Sequence, residues 1–274
     1  MKSTLLWITA IILTIVTAYF QRMTGPTYPL SGRKTVGTAV VSYDLIRSGN
    51  TGTPAAIRIL APDSTVSGLI RYRRYKSFDS WTTAPMQRSG DTLTASLPSL
   101  PPAGKMMYYI SIQQGRSVIV LNQKPAVLRY KGAVPGVVLI LHIIFINFAM
   151  LLSARAGLEA LFRGKRIYIY TWMTVILLFL GGLVFGPIVQ KYAFGAYWTG
   201  WPFGNDLTDN KSLVAFLFWI VALAVLFKNR NRRTWTLIAA IVTLVVFLIP
   251  HSLLGSEIDY TKTPQNTESS TTQP

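Results

Sequence analysis

The stretch that decides the fold is 132-GAVPGVVLILHIIFINFAMLLS-153, a run of 22 residues without a charged side chain. A helix needs roughly 20 mainly apolar residues to cross the hydrocarbon core of a membrane. The run therefore predicts a transmembrane helix. It also marks a boundary, because residues 21–133 are largely polar whereas residues 154–256 are again mostly apolar.

Four more stretches lack charged residues: 3–21, 167–190, 212–227 and 234–256. The run 212–227 has only 16 residues, so we expect its helix to start earlier, within 207–211. Half of all residues are hydrophobic and the mean hydropathy is +0.37, which is unusual for a soluble protein of 274 residues. We predict a membrane α-helical bundle, with one helix in each stretch and a four-helix block over residues 132–256.

The first stretch admits two interpretations. Lys2, the apolar run and the sequence Val16-Thr17-Ala18 match a secretory signal peptide that is cleaved after Ala18. The run is long for a signal peptide, which favours an uncleaved signal anchor over residues 1–22. The bundle has five spans if this segment is retained, or four after signal cleavage. In both cases the residues that follow are exported.

Lysine and arginine in the short loops indicate the orientation. Loops 155–166 and 228–233 carry four such residues each, and cytoplasmic loops are enriched in them. We therefore expect both loops inside the cell, and residues 21–133, the loop 191–211 and the C-terminal tail outside. The expected location is the inner membrane of a bacterium, where the basic loops contact membrane lipids through their anionic headgroups.

Residues 21–133 are strongly basic. Fifteen Lys and Arg stand against four Asp, so this segment carries +11 of the net charge of +17. Outside the membrane this charge favours an acidic protein, an anionic lipid or a polyanionic glycan as partner rather than nucleic acid; simple solubility is the alternative. The chain has no Cys, which excludes disulfides, thiol catalysis, Cys-ligated iron–sulfur clusters and covalently attached c-type haem.

The exported segment is rich in short β patterns. Runs of β-branched and aromatic residues, separated by Pro, Gly, Asn and Asp, predict strands at 55–60, 66–75, 92–97, 105–112, 117–121 and 126–130. Strands of this length and spacing favour an all-β sandwich over residues 53–131. Residues 23–52 are expected to form an extended tether and a first strand, because Gly and Pro near the start disfavour a helix.

A family resemblance supports this interpretation. The run Trp81, Pro85-Met86, Gly90-Asp91-Thr92-Leu93-Thr94-Ala95-Ser96-Leu97-Pro98, Ala103-Gly104-Lys105 and Tyr108-Tyr109-Ile110 resembles the later strands of fibronectin type III and other immunoglobulin-like domains. The whole chain is similar to bacterial membrane proteins that join such an exported sandwich to a small helical block. The resemblance implies a domain that binds or spaces, without the Cys pair of antibody domains.

One basic and aromatic patch stands out as a binding site: Arg71, Tyr72, Arg73, Arg74, Tyr75 and Lys76. Alternation along a strand places Arg71 and Arg73 on one face and Arg74 on the other. Guanidinium groups form paired hydrogen bonds with anions, and tyrosine rings stack on sugars or side chains. The alternative is a solvated strand face whose tyrosines pack inward.

Two histidines lie in the apolar stretches, His142 and His251. Ionisable groups in a membrane are costly and often functional, so the pair raises the possibility of b-type haem held by two imidazoles. Their depths differ, because His142 lies well inside its stretch and His251 lies near an end. A hydrogen bond from His142 to a neighbouring helix is the alternative.

The outer loop, the end of the last apolar stretch and the residue that follows it supply the candidate metal ligands Asp206, Asp209, His251 and Glu257. Carboxylates and an imidazole suit a divalent cation. The alternative is a structural polar clasp between helices, with Asp209 as the N-cap of the fourth apolar helix. Residues 257–274 are expected to be a disordered tail.

These features favour an integral membrane accessory or binding protein whose basic exported sandwich engages a protein, lipid or glycan. No nucleophile–base pair or phosphate-binding loop is evident in the sequence, so catalysis is left open but not favoured. A haem-carrying redox subunit, a metal site on the outer face and a small transporter remain alternatives.

Overall fold

The computed structural model describes residues 3–250 and 255–262. The chain divides into two compact units. The helical unit contains residues 3–28, 132–250 and 255–256, and the sheet unit contains residues 29–131 and 257–262. The sheet unit is therefore an insertion between the first helix and the later helices. Residues 257–262, which follow Ser256, also belong to it.

The helical unit begins with α1 (Ser3–Thr24) and continues with α2 (Gly136–Leu161), α3 (Ile167–Leu178), a π-helical segment (Phe179–Phe185), α4 (Gly186–Phe194), α5 (Leu207–Lys228) and α6 (Thr234–Leu248). Within the described residues, four helices are long and apolar enough to cross a membrane: Ser3–Thr24, Gly136–Leu161, Ile167–Phe194 and Leu207–Lys228. This is the make-up of a multi-pass membrane protein. Helix α5 starts at Leu207, as the short run 212–227 predicted.

The last apolar stretch differs from the expectation. Helix α6 has 15 residues and ends at Leu248, short of the roughly 20 residues that a span needs. Pro250 follows two residues later and has no N–H to continue the helix. The uncharged run up to residue 256 therefore overstated the length of this helix.

The third long helix contains a π-helical segment where glycines and Pro187 crowd together. The Gly186 N–H bonds to the carbonyl of Gly181, five residues back. The backbone nitrogen of Ile146 lies 2.9 Å from the position that a Cβ on Gly181 would occupy. Helix α2 therefore packs closely against the backbone of this helix at Gly181. Pro187 supplies no N–H to an α-helical ladder, which favours a local change of register.

Helix α1 packs into the helical unit and buries Leu6, Ala10, Thr14 and Thr17. The Arg155 guanidinium of α2 lies 5.4 Å from the ring centroid of Trp7 and is paired with Glu159 at 2.7 Å. The Arg155 side chain is 1% exposed, and losing one partner of such a buried pair costs about 3–5 kcal/mol. A charged pair in an apolar helix thus joins α1 to α2.

The sheet unit has eleven strands among the described residues: β1 (Leu30–Val36), β2 (Ala39–Leu45), β3 (Ser48–Asn50), β4 (Ala55–Leu60), β5 (Val66–Arg74), β6 (Thr82–Pro85), β7 (Gln87–Ser89), β8 (Thr92–Leu97), β9 (Lys105–Gln114), β10 (Ser117–Val120) and β11 (Ala126–Lys131). They form two sheets. The first has the order β1-β2-β4-β8-β7, and the second has the order β3-β11-β9-β5-β6 with β10 on β9. Strand pairs are antiparallel except β11 with β3.

Both sheets contribute to one hydrophobic core. Ile57, Ile59 and Leu93 come from the first sheet, and Ile70 and Ile110 from the second. Strands β4 and β9 alternate buried and more exposed residues, as expected when one face packs on a core. Each fully buried aliphatic side chain contributes about 1.5–3 kcal/mol, so this core stabilises the sheet unit.

Two segments differ from the expected organisation. Residues 23–52, expected to hold a tether and a first strand, contain the end of α1 and three strands. Residues 257–262, expected to belong to a disordered tail, pack in the sheet unit, and residues 263–274 lie outside the described residues.

Candidate functional site

A cavity of about 110 Å³, lined by both polar and apolar side chains, lies in the helical unit where α5 begins and α6 ends. Its polar lining is His142, Gln190, Asp206, Thr208, Asp209, Lys211 and Ser212, and its apolar lining includes Ile146, Val189, Phe194 and Phe247. Polar groups that converge in a cavity of a membrane protein are a default candidate for function.

His142 is fixed by the π-helical segment. Its Nδ1 lies 2.9 Å from the carbonyl oxygen of Gly181, and a carbonyl only accepts, so Nδ1 carries the proton. The remaining ring nitrogen, Nε2, is then an acceptor in a residue that lines the cavity. The hydrogen bond to another helix is the alternative that the sequence left open.

Asp209 holds the loop between α4 and α5. One of its oxygens accepts hydrogen bonds from the backbone N–H groups of Thr199 (2.7 Å) and Gly200 (2.9 Å) and from the Gln190 amide (3.1 Å). The alternative role of Asp209 as the N-cap of α5 is wrong. Because α5 starts at Leu207, the N-cap is Asp206, whose side chain accepts from the Thr208 N–H at 2.8 Å.

Asp206 also binds the chain that follows α6. Its second oxygen accepts from the N–H of Ser256 at 2.8 Å and from the hydroxyl of Ser256 at 2.9 Å. Burial favours the neutral acid, but the hydrogen bonds from Thr208, Ser256 and Thr199 outweigh it and lower the pKa of Asp206. These contacts form a polar clasp between the loop, α5 and the segment after α6.

The end of α6 receives side chains from two other helices. Lys211 Nζ donates to the carbonyl of Ile249 at 2.9 Å, and Gln21 Nε2 donates to the carbonyl of Phe247 at 3.0 Å. The last carbonyls of a helix have no partner within it, so these donors satisfy them. Lys211 is 6% exposed, which makes it a buried cation in the lining of the cavity.

Three of the four predicted metal ligands lie within the described residues. Asp206 and Asp209 line the cavity, and their hydrogen-bonded oxygens are occupied by N–H and O–H donors. Glu257 belongs to the sheet unit, and His251 lies outside the described residues. Over residues 3–250 and 255–262, no group of three or more His, Cys, Asp or Glu side chains could hold a metal ion.

The haem prediction paired His142 with His251. His142 is the single histidine that the structure describes, because His251 lies outside the described residues. Haem held by these two residues therefore stays a prediction.

The predicted basic patch is divided between an open surface and a set of internal ion pairs. Arg71 and Arg73 lie over one indole ring, with guanidinium carbons 4.9 Å and 4.7 Å from the ring centroid of Trp81. Tyr109 of β9 packs beside this ring at 5.6 Å. We call these four residues the arginine–tryptophan surface. Its arginines lie on the face of the second sheet that points away from the core, as strand alternation predicts.

The other cations of the patch are paired within the sheet unit. Arg74 makes a two-pronged contact with Asp79, with distances of 2.7 Å and 2.8 Å. These bonds raise the pKa of Arg74 and, against the effect of burial, lower the pKa of Asp79. Lys76 forms an ion pair with Glu257. Tyr72 packs against the core, and Tyr75 lies 5.5 Å from the ammonium of Lys105.

Several residues of these sites were not singled out from the sequence. Gln190, Thr199 and Ser256 belong to the polar clasp, and Trp81 and Asp79 complete the patch. A signal existed for Trp81, because an aromatic residue that closely follows an Arg-rich strand can fold back over it in a hairpin. No pattern connects Ser256 with Asp206.

Comparison of the sequence with models of known protein families gave no match, and a search of curated proteins gave none either.

Proposed function

We propose that this chain is an integral membrane accessory or binding protein whose sheet unit is an exported, basic β-sandwich that engages an anionic protein, lipid or glycan. The helices anchor the sandwich to a bacterial inner membrane. The observation that carries the proposal is the arginine–tryptophan surface, where two guanidinium groups lie over one indole ring on the open face of a sheet.

The chemistry of this surface suits anions. Stacking on an aromatic ring fixes the plane of a guanidinium group and leaves its N–H groups free to donate at the edge. No hydrogen bond of Arg71 to another described residue is observed, and Arg73 has only long contacts, at 3.4 Å to the Asp79 carbonyl and 3.5 Å to the Met107 sulfur. Both can therefore turn donors toward a carboxylate, sulfate or phosphate.

Charge supports both the orientation and the kind of partner. The distribution of Lys and Arg favours an inside position for the basic loops 155–166 and 228–233, which supports an exported sheet unit. The excess of Lys and Arg in residues 21–133 attracts anionic surfaces over distances of about 10 Å at ordinary ionic strength. The close packing of α1 favours a retained signal anchor over a cleaved peptide.

The test compares two charge-matched double variants of the full-length protein in detergent. Arg71→Gln with Arg73→Gln removes two charges from the arginine–tryptophan surface, and Arg33→Gln with Arg58→Gln removes two exposed charges from the first sheet. The probes are heparin and vesicles that contain an anionic phospholipid.

The proposal predicts that the first pair weakens binding about tenfold, which corresponds to about 1.4 kcal/mol, and that the second pair changes it about twofold or less. Equal effects of the two pairs would mean that net charge alone governs binding. Absence of binding to either probe, together with no copurifying protein that the first pair releases, would reject the proposal.

A further inference from the structure

The chain after Ser256 occupies one end of the patch that the proposed function assigns to an anionic partner. Glu257 forms ion pairs with Lys76 and with Lys105 of β9. The Tyr260 ring lies 4.5 Å from the guanidinium carbon of Arg74. The N–H of Ile258 donates to the carbonyl of Ala103 at 3.3 Å. An acid, an aromatic ring and a backbone N–H from one segment thus meet four complementary groups of the sheet unit.

The sheet unit is shaped to receive this segment. Lys76 and Ala103 have positive φ angles of 49° and 67°, in the left-handed region that non-glycine residues rarely adopt. Such conformations cost free energy and concentrate at binding sites. Lys76 supplies the ammonium for Glu257, and Ala103 supplies the carbonyl for Ile258. Two unfavourable backbone conformations are therefore maintained where the segment binds.

The segment is held by contacts that a competitor can replace. The Lys76 side chain is 44% exposed, and ion pairs between partly exposed groups contribute little to stability. The Tyr260 hydroxyl is buried without a hydrogen-bond partner among the described residues, which weakens the fit. Lys105 is different, because its side chain is 13% exposed and burial lowers its pKa while Glu257 opposes this. A buried ammonium needs an anion beside it, so Glu257 can leave only if another anion takes its place.

The site adjoins the arginine–tryptophan surface. Asp79 connects them, since its carboxylate binds Arg74 and its backbone carbonyl lies 3.4 Å from Arg73. A partner that binds Arg71 and Arg73 can therefore extend toward Arg74 and Lys105. A glycan or a lipid headgroup supplies an anion, but it supplies neither an aromatic ring for Arg74 nor a backbone N–H for Ala103.

We propose that residues 257–260 are an intramolecular occupant of a peptide-binding site, and that the natural partner is a protein segment with an acidic residue followed three positions later by an aromatic one. The segment competes with the partner for Lys76, Lys105 and Arg74, so it acts as an autoinhibitory contact. This inference rests on the proposed function.

The test is a binding experiment with the full-length protein in detergent. The probe is a fluorescent synthetic peptide, SEIDYTK, which copies residues 256–262. The occupant is weakened by Glu257→Gln, and more strongly by Glu257→Gln with Tyr260→Ala. Asp91→Asn is the charge-matched control, because Asp91 is exposed between β7 and β8 of the first sheet. A melting temperature and a circular dichroism spectrum equal to those of the wild type identify the variants that still fold.

The inference predicts weak binding of the peptide to the wild type and to the control, and at least tenfold tighter binding to the Glu257 and Tyr260 variants. A further Lys76→Glu change should reverse the gain. Equal binding to all variants would overturn the inference. So would a gain for heparin or anionic vesicles without a gain for the peptide, since the segment would then cover a glycan or lipid site. The dependence of heparin binding on Arg71 and Arg73 is measured separately, so the proposed function can fail or stand independently.

Discussion

Hydrogen bonds from two backbone N–H groups and one amide converge on a single oxygen of Asp209. Asp209→Ala leaves these donors buried without an acceptor, at about 1–3 kcal/mol for each one that water does not reach. We expect a loss of about 2–4 kcal/mol in the free energy of unfolding, measured as a lower melting temperature in detergent. Asn205→Ala, in an exposed part of the same loop, is the control and should melt like the wild type. Equal melting of both variants would show that the loop does not depend on Asp209.

The pairing of Asp79 with Arg74 is expected to make the stability of the fold depend on pH. The hydrogen bonds from Arg74 hold the pKa of Asp79 below its ordinary value. A carboxyl group with a lower pKa in the folded state stabilises the fold above its unfolded pKa of about 4, and this contribution is lost as the pH falls through the folded pKa. Asp79→Asn should therefore reduce stability at pH 7 by up to about 1 kcal/mol, since the pair is partly exposed.

The difference between wild type and Asp79→Asn should shrink as the pH falls below about 4, because the Asp79 carboxyl then loses its charge. Thermal unfolding at several pH values measures it, with Asp91→Asn as a reference for the loss of an exposed carboxylate. A difference that is constant from pH 7 to pH 3 would contradict the assignment of this pair.

Single residues also show where sequence reasoning reached its limit. Asp206 and Asp209 are equally good N-caps by type, and only the start of α5 at Leu207 selects Asp206. The pairing of Glu257 with Lys105 spans 152 positions, and no spacing rule connects residues so far apart. The arginine alternation in β5 was readable, because neighbouring residues of a strand point to opposite faces.

At the scale of elements, the π-helical segment makes the clearest prediction. A Cβ on Gly181 would lie 2.9 Å from the backbone nitrogen of Ile146, whereas a Cβ on Gly182 meets nothing closer than 3.7 Å. Gly181→Ala should therefore destabilise the packing of α2 on this helix by about 1–3 kcal/mol, and Gly182→Ala should be tolerated. Melting of the two variants side by side measures the effect. A Gly181→Ala protein as stable as Gly182→Ala would mean that α2 can move away at no cost.

The ends of strands could be predicted from the sequence where apolar side chains recur strictly at every second position. Strands β4 and β8 begin and end at the predicted residues, because their apolar side chains recur at every second position. The strands before Asn50 were missed in part, since Gly and Pro obscure alternation there. Helix α6 was overestimated because a lack of charge does not by itself make a helix, and Pro250 follows its end.

At the scale of the whole molecule, the insertion of a sheet unit between α1 and the later helices was readable from the change in composition at residues 21 and 133. The packing of residues 257–262 in the sheet unit could not be predicted from the sequence, because a short polar segment carries no signal of where it packs. The two sheets and their shared core depend on long-range pairing, such as β5 with β9, that local patterns leave open.

The most direct test uses the absence of Cys from the chain, which allows single cysteines to be placed at will. Thr83 pairs with Arg71 across β6 and β5, and Thr35 is exposed on β1 of the other sheet. In intact spheroplasts, a membrane-impermeant maleimide should label both Thr83→Cys and Thr35→Cys. Heparin should slow labelling at position 83 about tenfold and leave position 35 unchanged, unless Arg71 and Arg73 are replaced by Gln. Labelling only after the membrane is broken, or equal protection at both positions, would contradict the account.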